Sequence, residues 1–173
     1  DRITCTLTLT PVPQTVAGTV YADPNHNSSL DAGEAGIGGA TNLWVKLAPV
    51  SGGACTGPAT AAASVNLTTG AYSLPNVVQG SYCLILDGNA TLSDITASYP
   101  AGYVGSQNPS GVIQLVVGGA PPAPQNFGLY SGSTLSGNVF ADNGAGATTA
   151  NNGVKAGSEP GLAGITVNAM QGA

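Results

Sequence analysis

The chain has 173 residues, of which 42% are hydrophobic and only 6% charged, with a net charge of −5, against roughly 25% charged in ordinary soluble domains. Its three cations, Arg2, Lys46 and Lys155, form no basic stripe, so neither nucleic acid nor anionic lipid is an expected partner. No apolar run reaches the roughly 20 residues of a membrane-spanning helix, and membrane insertion is not expected.

In chain order, Ile3 to Thr10 alternates Ile3, Cys5, Leu7 and Leu9 against four threonines, a period of two that predicts an amphipathic strand. No leader peptide is visible before it; the expectation is that a leader has been removed or is left out of the given sequence. Pro11 and Pro13 break pairing and make residues 1–15 a strand with a stiff linker. A domain is expected over 16–131, with strands at Val16 to Tyr21, Asn42 to Leu47, Ala61 to Leu67, Ala71 to Leu74, Ser81 to Leu86, Val112 to Val117 and Gln125 to Tyr130. Gly and Pro clusters separate them, a hairpin turn is expected at Thr68-Thr69-Gly70, and Thr91 to Ser110 reads as a long loop. Short strands with this punctuation and no helical periodicity predict an all-β, antiparallel sandwich.

Between the first two strands lies DPNHNSSLDAGE, with oxygen-bearing side chains at Asp23, Asn25, Asn27, Ser29, Asp31 and Glu34. These are positions 1, 3, 5, 7, 9 and 12 of a twelve-residue loop, the spacing that wraps six to eight oxygens about a calcium ion. Calcium is therefore the expected cofactor. Ser28 stands where the helix-flanked form of such a loop needs Gly for its sharp turn, and the flanks here are strands. The competing reading is an Asn-rich surface turn held by its own hydrogen bonds.

Of Cys5, Cys55 and Cys83, an odd number, one pair at most can close within the chain. Cys55 with Cys83 is the expected pair, tying a Gly-rich loop to a strand and implying an oxidising, extracellular compartment. Three buried thiols are the alternative.

The sequence then begins again. Ser136-Gly137-Asn138-Val139-Phe140-Ala141-Asp142 repeats Ala17-Gly18-Thr19-Val20-Tyr21-Ala22-Asp23, and Glu159-Pro160-Gly161-Leu162-Ala163-Gly164 repeats Glu34-Ala35-Gly36-Ile37-Gly38-Gly39. Residues 132–173 are expected to supply the first two strands of a second, incomplete copy, the second strand at Ile165 to Met170, with a longer loop between them. Two strands alone bury too little to be stable.

The segments GTVYADPNHNSSLDAGEAGIGG, TTGAYSLPNVVQGSYCL, GYVGSQNPSG and QNFGLY resemble the B-type repeats of bacterial serine-aspartate-rich surface proteins. The resemblance covers Val16 to Tyr130 and restarts at Leu135. It implies an immunoglobulin-like or prealbumin-like sandwich stiffened by calcium, adhesive or structural and not catalytic, in a secreted or surface-attached protein. It implies metal ligands at Asp23, Asn25, Asn27, Asp31 and Glu34, and in the second copy at Asp142 and Glu159, with Asn151 and Asn152 as candidates. A related collagen-adhesin module is stapled by a Lys to Asn isopeptide bond. Lys46 and Asn126 are the residues placed for it, but the acid such a bond needs is missing from Tyr82 to Leu86, so Lys46 is expected to extend to solvent.

Enzymatic chemistry is not expected. His26, the only histidine, lies inside the cation loop at a position that should point away from the ion, and a Ser-His-acid triad has no other base. Zinc would need several Cys or His ligands. Asp87 and Asp94 are the one carboxylate pair conceivable for glycoside hydrolysis and read more simply as loop residues. Trp44, Tyr72 and Tyr82 are candidates for a sugar platform, although aromatics on strands usually serve the core. The N-x-S/T triplets at Asn27, Asn66 and Asn89 read as incidental.

The function expected is thus a calcium-binding extracellular repeat, a subunit of a filament or surface fibre whose partners are other copies of itself, head to tail. The strand Ile3 to Thr10 of one copy is expected to complete the open sheet of Leu135 to Met170 in the next. The alternatives are a stalk repeat of an adhesin that meets extracellular matrix, and a glycan-binding accessory module of a secreted enzyme.

Overall fold

The structure is a computed structural model and describes residues 10–34, 36–37, 42–131, 137–146 and 148–167. Most of the predicted strand Ile3 to Thr10, with Cys5, lies outside these residues, as does the later part of the predicted strand ending at Met170. The chain divides into two compact units, Asp1–Ser133 and Thr134–Ala173.

The first unit is an all-β sandwich. Its described strands are β1 (Gln14–Ala22), β2 (Trp44–Ser51), β3 (Ala54–Cys55), β4 (Ala61–Ser64), β5 (Ala71–Val77), β6 (Gly80–Asp87), β7 (Tyr103–Gly105), β8 (Val112–Val117) and β9 (Phe127–Ser131). One sheet runs β5-β1-β9-β7; the other runs β3-β2-β6-β8, with β4 also paired to β2. All pairings are antiparallel except β1 with β9, where Val20 to Ala22 lies parallel to Phe127 to Leu129. That parallel pair places the end of β1, and so the start of the Asp23 loop, against the last strand.

The period-two pattern explains the faces. Tyr72, Leu74 and Val77 of β5 are buried while Ala71, Ser73 and Pro75 are exposed. Val16, Val20, Val45, Leu47, Leu84, Leu86, Phe127 and Leu129 meet between the sheets as the core. Each such side chain contributes about 1.5–3 kcal/mol by leaving water. Strand β6 is buried on both faces from Cys83 to Asp87. Leu84 and Leu86 face the core, whereas Cys83 and Ile85 pack with Ala48 and Ala59 in a second cluster against Ile95 and Ala97. The segment after β6 therefore folds back over the outer face of its sheet, held by Ser98 N–H to Leu86 O at 3.0 Å and Ala59 N–H to Leu92 O at 2.7 Å.

Gly18 is required by close approach: a β-carbon there would lie 1.7 Å from the Gln125 carbonyl oxygen. The Tyr72 hydroxyl donates to the same carbonyl at 2.6 Å. Cys55 and Cys83 form a disulfide with a Cα separation of 5.8 Å across 28 residues, a loop for which closure contributes about 3–4 kcal/mol.

Two expectations are corrected. Lys46 does not extend to solvent. It is 0% exposed and paired with Asp87, itself 1% exposed. Asp87 is the last residue of β6, not a loop residue. Alternation does turn Lys46 away from the sandwich core, but the segment after β6 covers that outer face. Asn126 is elsewhere, its side chain accepting from Thr19 N–H at 3.0 Å. In the second unit the two expected strands are absent among the described residues, where one bridge joins Phe140 to Gly161. Ile165 to Val167 lie exposed and, among the described residues, outside any strand.

Candidate metal centre

Strand β1 ends at Ala22, and the Asp23 N–H bonds to Leu129 O at 2.7 Å, fixing the start of the loop on β9. The Asp23 side chain is fully buried and accepts from two backbone donors, Asn27 N–H at 3.2 Å and Ser28 N–H at 3.0 Å. Burial alone would raise its carboxyl; the nearby Ser106 hydroxyl and the N–H groups of Ser28, Asn27 and His26 overcome that and hold it below the usual carboxylate range.

The turn demanded at position 6 is made by Ser28 with φ of 60°, and His26 also turns left-handed with φ of 58°. Left-handed backbone is costly for a residue with a β-carbon and is kept where surrounding bonds enforce it. Ser28 is so enforced: its N–H is on Asp23 and its hydroxyl donates to Ser106 O at 3.1 Å. His26 leaves the loop interior and stacks on Tyr130, ring centres 4.1 Å apart.

The remaining predicted ligands converge on Asp31. Its Oδ2 accepts from Asn25 Nδ2 at 3.0 Å and Asn27 Nδ2 at 2.7 Å. The Asp31 N–H donates to Glu34 Oε2 at 2.9 Å. Glu34 Oε1 is buried with no hydrogen-bond partner, which costs about 1–3 kcal/mol, more for a charged group. Ser29 joins through its backbone, donating to Asn27 Oδ1 at 2.9 Å.

The residues fit a hard cation. Asp23, Asp31 and Glu34 offer carboxylate oxygens, the Asn25 and Asn27 amide oxygens accept from the Asn27 and Ser29 N–H groups and each keep a second lone pair, and one Glu34 oxygen is buried without a partner. Among the described residues no three His, Cys, Asp or Glu side chains form a ready metal cluster; twelve-residue loops that hold calcium also use amide and backbone oxygens. The acids are also felt at Tyr21, whose hydroxyl donates to Gln107 Oε1 at 3.1 Å. Its phenol is pushed up to about 12, first by burial, then by the charges of Asp23, Glu34 and Asp31.

The second loop keeps the frame and changes the filling. Asp142 Oδ2 accepts from Gly153 N–H at 2.7 Å, as Asp23 Oδ2 accepts from Ser28. Asn152 Oδ1 accepts from Val154 N–H at 2.7 Å, as Asn27 accepts from Ser29. Asn151 is left-handed, with φ of 58°, as His26 is. Glu159 Oε2 accepts from Ala156 N–H at 3.0 Å, as Glu34 accepts from Asp31. These matched bonds set the register: Ala150, Val154 and Ala156 stand where the first loop has Asn25, Ser29 and Asp31. Of the six oxygen positions, only Asp142, Asn152 and Glu159 keep a side-chain donor. Asp142 Oδ1 is buried without a partner, while the second Glu159 oxygen, Oε1, accepts from Gly144 N–H at 3.1 Å. Asn151 corresponds to His26, outside the donor set. Sequence comparison alone misses this register because the insertion hides it.

Of the proposed sugar platform, Trp44 and Tyr72 line one open cleft between β4 and β5, and Tyr82 is not in it. A different polar cluster escaped the sequence reading altogether. Under the segment after β6, Lys46 Nζ meets Asp87 Oδ2, Asn89 Oδ1 at 3.2 Å and Asp94 O at 2.8 Å. No local pattern signals it, since the residues come from β2 and from a loop that folds over it. No protein-family model and no curated protein matches the chain.

Proposed function

We propose that the chain is a calcium-stiffened structural repeat of an extracellular filament or surface fibre, with the ion held by Asp23, Asn25, Asn27, Asp31 and Glu34. The observation that carries the reading is the first loop itself. Asp31 gathers Asn25 and Asn27 on its carboxylate and, through its N–H, Glu34, and one Glu34 oxygen is buried without a partner. A divalent ion there fixes how the end of β1 meets β9 and the path toward β2. The disulfide supports an oxidising compartment, and the sparsely charged surface suits copies packed side by side. Strand exchange between copies, through Ile3 to Thr10, is the means of assembly that the repeat pattern suggests. A glycan-binding accessory module is the second reading, for which Trp44 at an open cleft is the remaining aromatic, Tyr72 being buried in the core; it calls for saturable glycan binding that survives chelation.

Cleavage by a glutamyl endopeptidase tests the metal part. The chain has two glutamates, and Glu159 is followed by Pro160, which blocks cutting, so Glu34 is the one susceptible bond. Millimolar calcium is expected to protect that bond and chelator to expose it; equal cleavage in both would overturn the reading. Electron microscopy of the same samples tests assembly, fibres being expected in calcium and lost on deletion of residues 1–10.

A further inference from the structure

Two open sheets leave edges, and an edge strand offers a row of main-chain donors and acceptors to any strand that can reach it. Most of the described edges are blunted. Strands β3, β7 and β4 have two, three and four residues, and β5 carries an exposed proline, Pro75, and pairs with β1 through an irregular register. Strand β8 is different. It ends its sheet beside β6, and its six residues, Val112-Ile113-Gln114-Leu115-Val116-Val117, are rich in β-branched side chains and contain no proline, glycine or charge. No charged side chain lies between Asp94 and Asp142 in the sequence, so two copies of this edge meet without repulsion.

The main chain of β8 turns alternate residues toward β6. Gly111 O accepts from Leu86 N–H at 2.9 Å, so residue 111 faces β6, and alternation along the strand turns the N–H and C=O of Val112, Gln114 and Val116 outward. The Val112 N–H and O accordingly both meet the Ser110 hydroxyl, at 3.3 Å. Gln114 and Val116 remain. Both are exposed, Val116 to 74%, and among the described residues no strand lies beyond them.

From this edge we infer that β8 pairs with the β8 of a second copy of the chain, antiparallel, about a two-fold axis at Leu115. Gln114 of each copy then faces Val116 of the other and exchanges both main-chain bonds with it, while Val112 keeps Ser110. Opposite residues share a face of the sheet. Ile113 and Leu115, which touch the core yet stay only half-buried, gain Val117 and Leu115 of the other copy as apolar neighbours. An axis at Gln114 would take Val112 from Ser110, and a slip of one residue would set core-facing against solvent-facing side chains. The joined sheet ends on both sides in the short β3 and β4, so the contact closes at two copies. One pair of six-residue strands falls short of the roughly 1,200 Å² that a stable complex buries. Pairing of separate chains is therefore concentration-dependent, and chains already joined in a fibre strengthen it by repeating it.

Neither the metal nor the head-to-tail joint enters this contact, so it is tested in chelator. Amide hydrogen exchange of the full chain, followed by NMR across protein concentrations, reads the edge residue by residue. The Gln114 and Val116 amides should exchange freely in dilute protein and slow about tenfold once about nine chains in ten are paired. Leu115, turned toward β6, should be protected throughout. Val116→Lys places a charge on the edge at an exposed side chain; it should abolish the slowing at Gln114 while protection of Leu115 shows that the fold is kept. Free exchange of Gln114 and Val116 at every concentration overturns the proposal. So does protection that does not vary with concentration, or that survives Val116→Lys.

Discussion

The two loops that begin at Asp23 and Asp142 share hydrogen bonds at the Asp, the Asn and the closing Glu, and differ in what those bonds enclose. The first spans 12 residues to its glutamate and the second 18, so six are inserted, yet the closing turns superpose bond for bond. In the first, Asp31 stands three residues before the glutamate; in the second that place is Ala156, and both Glu159 oxygens rest on backbone N–H groups. A loop frame can thus be kept while the oxygens it encloses change through a few side chains. The surroundings differ as well. Val20 and Ile37 are fully buried in the sandwich core, whereas their counterparts Val139 and Leu162 are 38% and 48% exposed among the described residues.

The largest effect expected is from Asp31→Ala, which puts in the first loop the residue that Ala156 supplies in the second. With free calcium at 100 times its dissociation constant, binding adds about 2.7 kcal/mol to stability. Chemical denaturation in calcium and in chelator should show that increment in the wild type and lose it in the variant. Next, Gly18→Ala should destabilise by about 2 kcal/mol, since a new methyl meets the Gln125 backbone. Gly137→Ala, with open space around it, should stay within about 0.5 kcal/mol. Equal effects at the two glycines would remove the contrast between the units.

The converse exchange is smaller. Ala156→Asp restores one carboxylate to the second loop and is expected to tighten calcium there about tenfold, roughly 1.4 kcal/mol, read by a titration in the Asp31→Ala background. Smallest is the response of Tyr21. Its ionisation is delayed first by burial and then by the acids of the loop, so a bound cation should bring it to lower pH than in chelator, visible in tyrosine NMR shifts. Asp23 sets the acid side. Its carboxyl is depressed in the folded state, so its contribution is fully present above the ordinary carboxylate value and fades as pH falls through the depressed one. Asp23→Asn should flatten that acid limb.

Much of this was legible in the residues. Alternation marked Val112–Val117 to the residue and placed β1, β2, β5, β6 and β9 within a few residues, and the Cys55 to Cys83 bridge followed from where the two cysteines fell. The twelve-residue spacing drew attention to Asp23 through Glu34, and the structure brings Asn25, Asn27, Asp31 and Glu34 into one hydrogen-bonded set. Two kinds of feature were hidden. Strands β3 and β7, of two and three residues, are too short to show a period and exist only through their partners. The burial of Lys46 depends on a segment some 40 residues later folding over the sheet, and period-two reasoning assigns a face without saying what covers it. The register of the second loop was hidden by its inserted residues: Asp142, Asn152 and Glu159 keep the bonds of Asp23, Asn27 and Glu34, but the changed spacing conceals which residues correspond.

The most direct measurement is a calorimetric titration of calcium into chelator-stripped protein, run on the wild type and on Asp31→Ala. One strong site in the wild type, lost in the variant, is the expected result. No binding heat in the wild type, or binding unchanged by removal of the Asp31 carboxylate, would contradict the account of the first loop as an ion clamp between β-strands.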